Sequence, residues 1–318
     1  ATVGPGRAFP ILWHSPCCGP MTAFPRRSRL RGLEEARAWL AALGLGAAAP
    51  APAAPALDAD LVVERPLPAV LTARRSGWAV PAEATLGASP YGPVPLPGLR
   101  LVAAGEPLPP GTDAVLPPEA GTEAGPWVEV TASVAPGEGV VPASGHLAVG
   151  QVLARAGSVA SPLARLLAAG EAEAMLPLLA SLTPPGLALG PVSAPAIAGL
   201  GARPIEETVL GHGPDGRPAL SLPADPAARL LAWLALVPPP GESVPARLAR
   251  KLASAAGLTD LVLVRLAEGV ATPLAAADSP SLSAFTLAAG WVEVPPASEG
   301  WPEGASVTVT LLPPAVLA

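Results

Sequence analysis

Residues Val134 to Gly170 read VAPGEGVVPASGHLAVGQVLARAGSVASPLARLLAAG, and the order of signals inside this stretch sets the expected fold. A Pro136-Gly137 turn opens it, a glycine-punctuated connector of short apolar pairs follows, and SPLARLLAAG closes it. There Ser161 can cap a helix, Pro162 suits its first position, and Leu163, Leu166 and Leu167 share one face. Short strands thus feed a packed helix, which the pattern lets run on to Leu176.

Composition bounds the rest. Half of the 318 residues are apolar, so a sizeable core is expected, and 45 prolines with 33 glycines predict many short elements joined by tight turns. With so much apolar surface and a net charge of only -6, uniform disorder is excluded. Mild acidity gives no electrostatic footprint for nucleic acid or an anionic membrane. Cys17 and Cys18 are the whole cysteine inventory and support neither a disulfide framework nor a zinc cluster. No apolar run reaches spanning length without Pro or charge and no signal peptide opens the chain, so a cytoplasmic protein is expected.

Working outward from the central stretch, residues 1–32 are the least domain-like. The basic run RRSRLR (Arg26 to Arg31) reads as a solvated tail rather than a nucleic-acid arm. GLEEARAWLAALG (Gly32 to Gly44) predicts a helix with Glu34 and Glu35 in its first turn and Leu33, Ala36, Leu40 and Leu43 on one face. Ala47 to Ala56, AAAPAPAAPA, reads as a linker or an arm lying over another surface. Strands are expected at Leu61 to Val63, Leu99 to Ala103, Ala114 to Leu116 and Trp127 to Val134, making Leu61 to Gly157 a β-rich region.

After Gly170 the text predicts strand, turn and strand in the manner of a reduced α/β unit, too short for a full doubly wound domain. It ends in GRPALSLPADPAARLLAWLAL (Gly216 to Leu236), where Ala219 to Leu222 is a buried strand. Asp225 is the N-cap of the next helix, Pro226 its first residue, and Leu230, Leu231 and Leu234 its buried stripe. Such a helix start can hold an anion, but the Asp225 carboxylate would take the same N–H groups and repel a phosphate. A helix is expected at Ala246 to Ala256 with Arg247, Arg250 and Lys251 exposed. A small barrel or sandwich follows, with strands at Leu261 to Leu266, Val270 to Pro273, Gly290 to Val294 and Ser306 to Leu311 and a short helix at Ser281 to Ala289. His14, His146 and His212 are widely spaced and read as surface or loop residues with no metal site. No Gly-x-Ser-x-Gly elbow supports a hydrolase.

SGWAV (Ser76 to Val80), AAGEPLPPGTDAVLPPE (Ala103 to Glu119), the Val134 to Gly170 stretch, ALSLPADPAARL (Ala219 to Leu230) and the order of elements from Arg247 to Leu311 together resemble the molybdopterin molybdenumtransferase (MoeA-like) family. The resemblance covers about Leu33 to Leu312. It implies insertion of molybdate into adenylylated molybdopterin with Mg, an elongated homodimer, and contact with other molybdenum cofactor biosynthesis proteins. It also implies an N-terminal region, a β-rich domain, a three-layer α/β domain and a C-terminal β-barrel. Combined with the pattern read above, the expected fold is multidomain α+β: an extension at 1–32, an N-terminal helix and proline-rich linker at 33–60, a β-rich domain at 61–160, a reduced α/β domain at 161–241 and a C-terminal β-barrel at 242–318.

The same resemblance exposes departures. The family's Asp-Gly-Tyr-Ala is here Ser76-Gly77-Trp78-Ala79, and its Pro-Gly-Asn-Pro is Pro223-Ala224-Asp225-Pro226. Its Gly-Glu-Asp is Gly145-His146-Leu147, and its barrel loop Gly-Ser-Gly is Asp278-Ser279-Pro280-Ser281. Loss of a glycine removes close backbone approach to a phosphate, and Asn to Asp adds a negative charge there. Cofactor binding, if kept, is expected at Ser76, Gly77, Trp78, Pro223, Ala224 and Asp225, with catalysis weakened or lost. The alternative is a non-catalytic module that binds a pterin, a nucleotide or a partner protein. Because Asn caps about as well as Asp, Asp225→Asn is expected to leave the fold intact and to favour the anion.

Overall fold

The computed structural model of the chain describes residues 30–46, 55–238 and 241–313. His14, both cysteines and most of the proline-rich linker lie outside them. The chain is mostly β with few helices. No helix among the described residues is long and apolar enough to cross a membrane.

The first helix, α1 (Leu33–Ala42), buries Leu33, Ala36 and Leu40 as its pattern requires. In the β-rich region Gly77–Val80 is the centre of a three-stranded antiparallel sheet between Arg100–Val102 and Ala114–Leu116. A Cβ at Gly77 would come within 1.9 Å of the Leu116 carbonyl oxygen, so only glycine lets the two backbones pair there. A second sheet pairs Trp127–Val130 with Val94–Pro97 and Gly121–Ala124, and alternate residues Val128 and Val130 point inward. Trp78, Leu116, Val128 and Val130 fill the core between the sheets.

Helix α2 (Pro162–Ala168) is capped by Ser161, whose side chain accepts from the Ala164 N–H. It does not run on to Leu176. Gly170 takes φ +75°, a left-handed conformation open to glycine without strain, and the chain turns there before α3 (Met175–Ser181). PLLAS is therefore helical rather than part of a strand-turn-strand unit. The wrap of Met175 and Leu179 into the core decides this.

The sheet that follows is mixed. Ala188–Leu189 runs parallel to Pro218–Ser221, but Pro218–Ser221 pairs antiparallel with Val209–His212, and Val209–His212 antiparallel with Ala194–Ile197. Helix α4 (Pro226–Leu236) then buries nearly every side chain, including Leu230, Leu231, Trp233 and Leu234. The Trp233 ring nitrogen donates to the Thr183 hydroxyl at 3.0 Å.

The C-terminal strands close into a five-stranded barrel. Thr259–Ala267 pairs with Val270–Pro273 on one side and Gly290–Val294 on the other, and Ser306–Leu311 and Ser243–Leu248 complete the ring. Helix α5 (Leu282–Phe285) is shorter than expected.

The helix expected at Ala246 to Ala256 does not form. Ser243–Leu248 is a strand whose every residue up to Arg247 is in register with the last strand, from Ser243 opposite Thr310 to Arg247 opposite Ser306. Read with period two, Val244, Ala246 and Leu248 face the barrel core, whereas a helix would have offered a face made largely of alanine. Arg247, Arg250 and Lys251 are exposed as expected.

Candidate functional site

A cleft of about 940 Å³ opens where the β-rich region, the central stretch and the barrel meet. The first contributes Arg74 to Ser76, the second Glu206, Glu207, Pro223 and Asp225, and the third Gly257, Leu258 and the Asp278 to Pro280 turn.

Asp225 sits at the junction. As the N-cap of α4 its Oδ1 accepts from the Ala228 N–H at 2.9 Å, as the Asp-Pro start predicts. Its Oδ2 lies 3.5 Å from Arg74 Nη1 and 3.2 Å from His146 Nε2. The imidazole is close enough for an ion pair when protonated, but out of line for a hydrogen bond, so Oδ2 has no hydrogen-bond donor. Burial pushes the carboxyl up. His146, Arg74 and the Ala228 N–H outweigh that and hold it below its ordinary range.

The same residues tie the three regions together. Arg74 Nη1 also donates to the Pro280 carbonyl at 2.9 Å, and the His146 carbonyl accepts from the Ser283 N–H at 3.0 Å. His146 is thus buried, at 2% exposure, and not a surface residue. Packing under the barrel turn decides this. His212 is exposed, with its ring edge-on to Trp39. Asp225→Asn would keep the cap but leave Arg74 facing a neutral amide in a buried site, a cost to stability that the cap alone does not reveal.

The turn before α4 is held by its own helix. Arg229 Nε donates to the Pro223 carbonyl at 2.9 Å and Nη2 to the Ala224 carbonyl at 3.0 Å. Ala224 does not need positive φ, so the turn survives without glycine.

Of the residues singled out from sequence, Ser76, Pro223 and Asp225 meet in the cleft and Gly77, Trp78 and Ala224 do not line it. The Ser76 hydroxyl accepts from the Ala104 N–H at 3.0 Å, and the Ser76 N–H points to Glu207 Oε1 at 3.4 Å. Trp78 is core, its ring nitrogen donating to the Pro118 carbonyl.

Sequence reasoning missed Arg74, His146, Glu206 and Glu207. The one available signal was the adjacent carboxylates in ARPIEET, between two strands. Both line the cleft, Glu206 half-buried and Glu207 exposed at its mouth. Burial and the neighbouring Glu207 push Glu206 up to about 7, although its own backbone N–H and Arg203 oppose this. Burial, with Asp225 nearby, likewise raises Glu207. Arg203 cannot neutralise them fully, because it is held bidentately by the buried Asp260 at 2.6 Å. Arg75 is drawn to Glu138 at 3.2 Å and to the Val115 carbonyl. The cleft is acidic, and its two arginines are already engaged.

Among the described residues no group of three or more His, Cys, Asp or Glu is arranged to hold a metal ion. The Mg implied by the resemblance therefore finds no ready set of protein ligands.

The chain matches the family description MoeA N-terminal region (domain I and II) over residues 33–170 and MoeA C-terminal region (domain IV) over residues 245–312. No curated protein matches it. Among solved structures it is similar to the molybdopterin biosynthesis moea protein from Pyrococcus horikosii, at 19% identity and a TM-score of 0.40, covering 89% of this chain and 99% of that one. It is also similar to a molybdenum cofactor biosynthesis protein from Pyrococcus furiosus, at 23% identity and a TM-score of 0.33, covering 39% and 48% of the two chains. The two matched regions flank the cleft from both sides, and the chain belongs to the MoeA-like family of molybdopterin biosynthesis proteins.

Proposed function

We propose that the chain acts in molybdenum cofactor biosynthesis as a diverged relative of molybdopterin molybdenumtransferase, with insertion of molybdate into adenylylated molybdopterin weakened or lost. We read residues 161–241 as a shortened counterpart of the family's α/β domain, and the protein as a cytoplasmic homodimer. The observation that carries this reading is Asp225. Where the resemblance places an asparagine, a carboxylate caps α4, so a helix start suited to phosphate already holds an anion. A polyanionic pterin nucleotide would also face Glu206 and Glu207, at a Coulomb cost that no ready Mg site offsets.

The alternative reading, a non-catalytic module that binds a pterin, a nucleotide or a partner protein, shares the same observation and drops the transfer. Calorimetric titration with adenylylated molybdopterin, with and without Mg, separates decay from function. Binding far weaker than micromolar, with no molybdate-dependent turnover, is expected. Micromolar binding with turnover would sink the reading of a decayed site. Sedimentation equilibrium tests the dimer, and a mass of only 31.4 kDa would contradict it.

A further inference from the structure

The Asp225 carboxylate stands where cationic groups from separate regions converge. It pairs as an ion with Arg74, from the β-rich region, at 3.5 Å, and with His146, from the central connector, at 3.2 Å when that ring is protonated. The Ala228 N–H, in the first turn of the 11-residue α4, adds a hydrogen bond at 2.9 Å. Arg229, one residue further on, also feels the carboxylate. Arg26, Arg27 and Arg29 lie outside the described residues.

The charges match, but the directions do not. Its cap on Ala228 fixes the carboxylate, so Oδ2 lies close to both cations without being in line for a hydrogen bond from either. His146 Nδ1 is likewise without a partner, in a side chain only 2% exposed. A tetrahedral oxyanion is not tied to the backbone. It can turn one oxygen to the helix start and others to Arg74 and His146 together, where charge-assisted bonds are strongest. Asp225 lines the cleft of about 940 Å³, so the rest of such an ion has room on the open side. Glu207 opposes any anion here, and it already opposes the carboxylate.

We infer that Arg74, His146 and the start of α4 form a receptor for a tetrahedral oxyanion, which Asp225 occupies in its own chain and keeps closed. The inference rests on the reading of Asp225 proposed above and takes it further: the site is blocked rather than dismantled. Removal of one carboxylate should therefore restore anion binding, with no other residue changed.

Calorimetric titration of the full chain with inorganic phosphate, molybdate and AMP, in separate arms, tests this on the wild type, Asp225→Ser and Asp225→Ser/Arg74→Gln. Serine keeps a capping oxygen and vacates the position of Oδ2. The serine variant is expected to bind at least about tenfold more tightly than the wild type, and the added Arg74→Gln to cancel that gain. A gain with the free ions supports a small-ion receptor, and a gain with AMP alone supports one for a phosphate carried on a nucleoside. No gain in any arm, or a gain that survives Arg74→Gln, would overturn the inference. Should the serine variant not fold by circular dichroism, Asp225→Asn keeps the cap, removes the charge and carries the same expectation. Molybdate-dependent turnover by the wild type would sink the reading of lost catalysis but leave this comparison standing. Absence of any gain would sink the receptor without restoring catalysis.

Discussion

The barrel and the central stretch before it are built from similar residues yet hold together differently. The barrel closes on itself, and Val262, Val264, Val292, Val307 and Val309 make a core that belongs to it alone. The central stretch has none of its own. Met175, Leu179, Leu210, Leu220 and Leu230 to Leu236 of α4 share one cluster with α1, with Leu147 and Leu163, and with Leu261, Leu263, Phe285 and Trp291 from the barrel side. Ala202–Arg203 even joins the barrel sheet, parallel to the start of Thr259–Ala267. A closed ring of strands satisfies its own backbone and buries one face. A short mixed sheet with a helix apolar on all sides must borrow walls, so it can shrink only while its neighbours press on it.

The largest test of that contrast is Trp233→Ala, which empties the shared cluster and removes the donor to the Thr183 hydroxyl, itself still bonded to the Leu179 carbonyl. We expect a loss of about 4 kcal/mol in urea unfolding, within a single transition that carries the barrel signal with it. A separate later transition for the barrel would break the shared-core account.

Arg203→Met comes next. It strips the fork from Asp260, which is fully buried, and should cost about 3 kcal/mol. An effect under about 1 kcal/mol would show that the seam between the two regions does not depend on this pair.

Asp225→Asn keeps the cap and should lose about 2 kcal/mol at neutral pH. The Asp225 carboxyl is held below its ordinary range in the folded state, so its contribution is present above the unfolded value and is lost as pH falls through the folded one. The gap between wild type and variant should therefore close in acid. A gap that does not change with pH would assign the loss to packing.

Glu206→Gln gives the smallest effect, with the opposite sign. A carboxyl raised to about 7 binds its proton more tightly when folded, so folding is penalised as pH rises from the unfolded value toward 7 and beyond. The variant should gain about 1 kcal/mol at pH near 8 and nothing near pH 4. No gain at alkaline pH would mean Glu206 is already compensated.

Local pattern made much of this legible. Period-two alternation located the strands Val270–Pro273, Gly290–Val294 and Ser306–Leu311, and the Asp225-Pro226 pair located the start of α4 with its cap. These signals are local because a strand bounded by turn residues and a capped helix terminus are decided by neighbours in sequence. Residues 246–256 were not legible that way. Their alanines and leucines suit a helix as well as a strand, and only the partner strand Ser306–Leu311 and the barrel interior choose between them.

The cleft shows the same division. Ser76 and Asp225 could be picked out in the text, but that both line one cleft, Ser76 beside Glu207 and Asp225 beside Arg74 and His146, depends on three regions far apart in sequence being pressed together by one apolar cluster. The sequence alone determined the turns, the capped helix starts, several strands and the net acidity. Tertiary packing decided which charges share a buried space, because desolvation and Coulomb energy depend on distance through the fold and not along the chain.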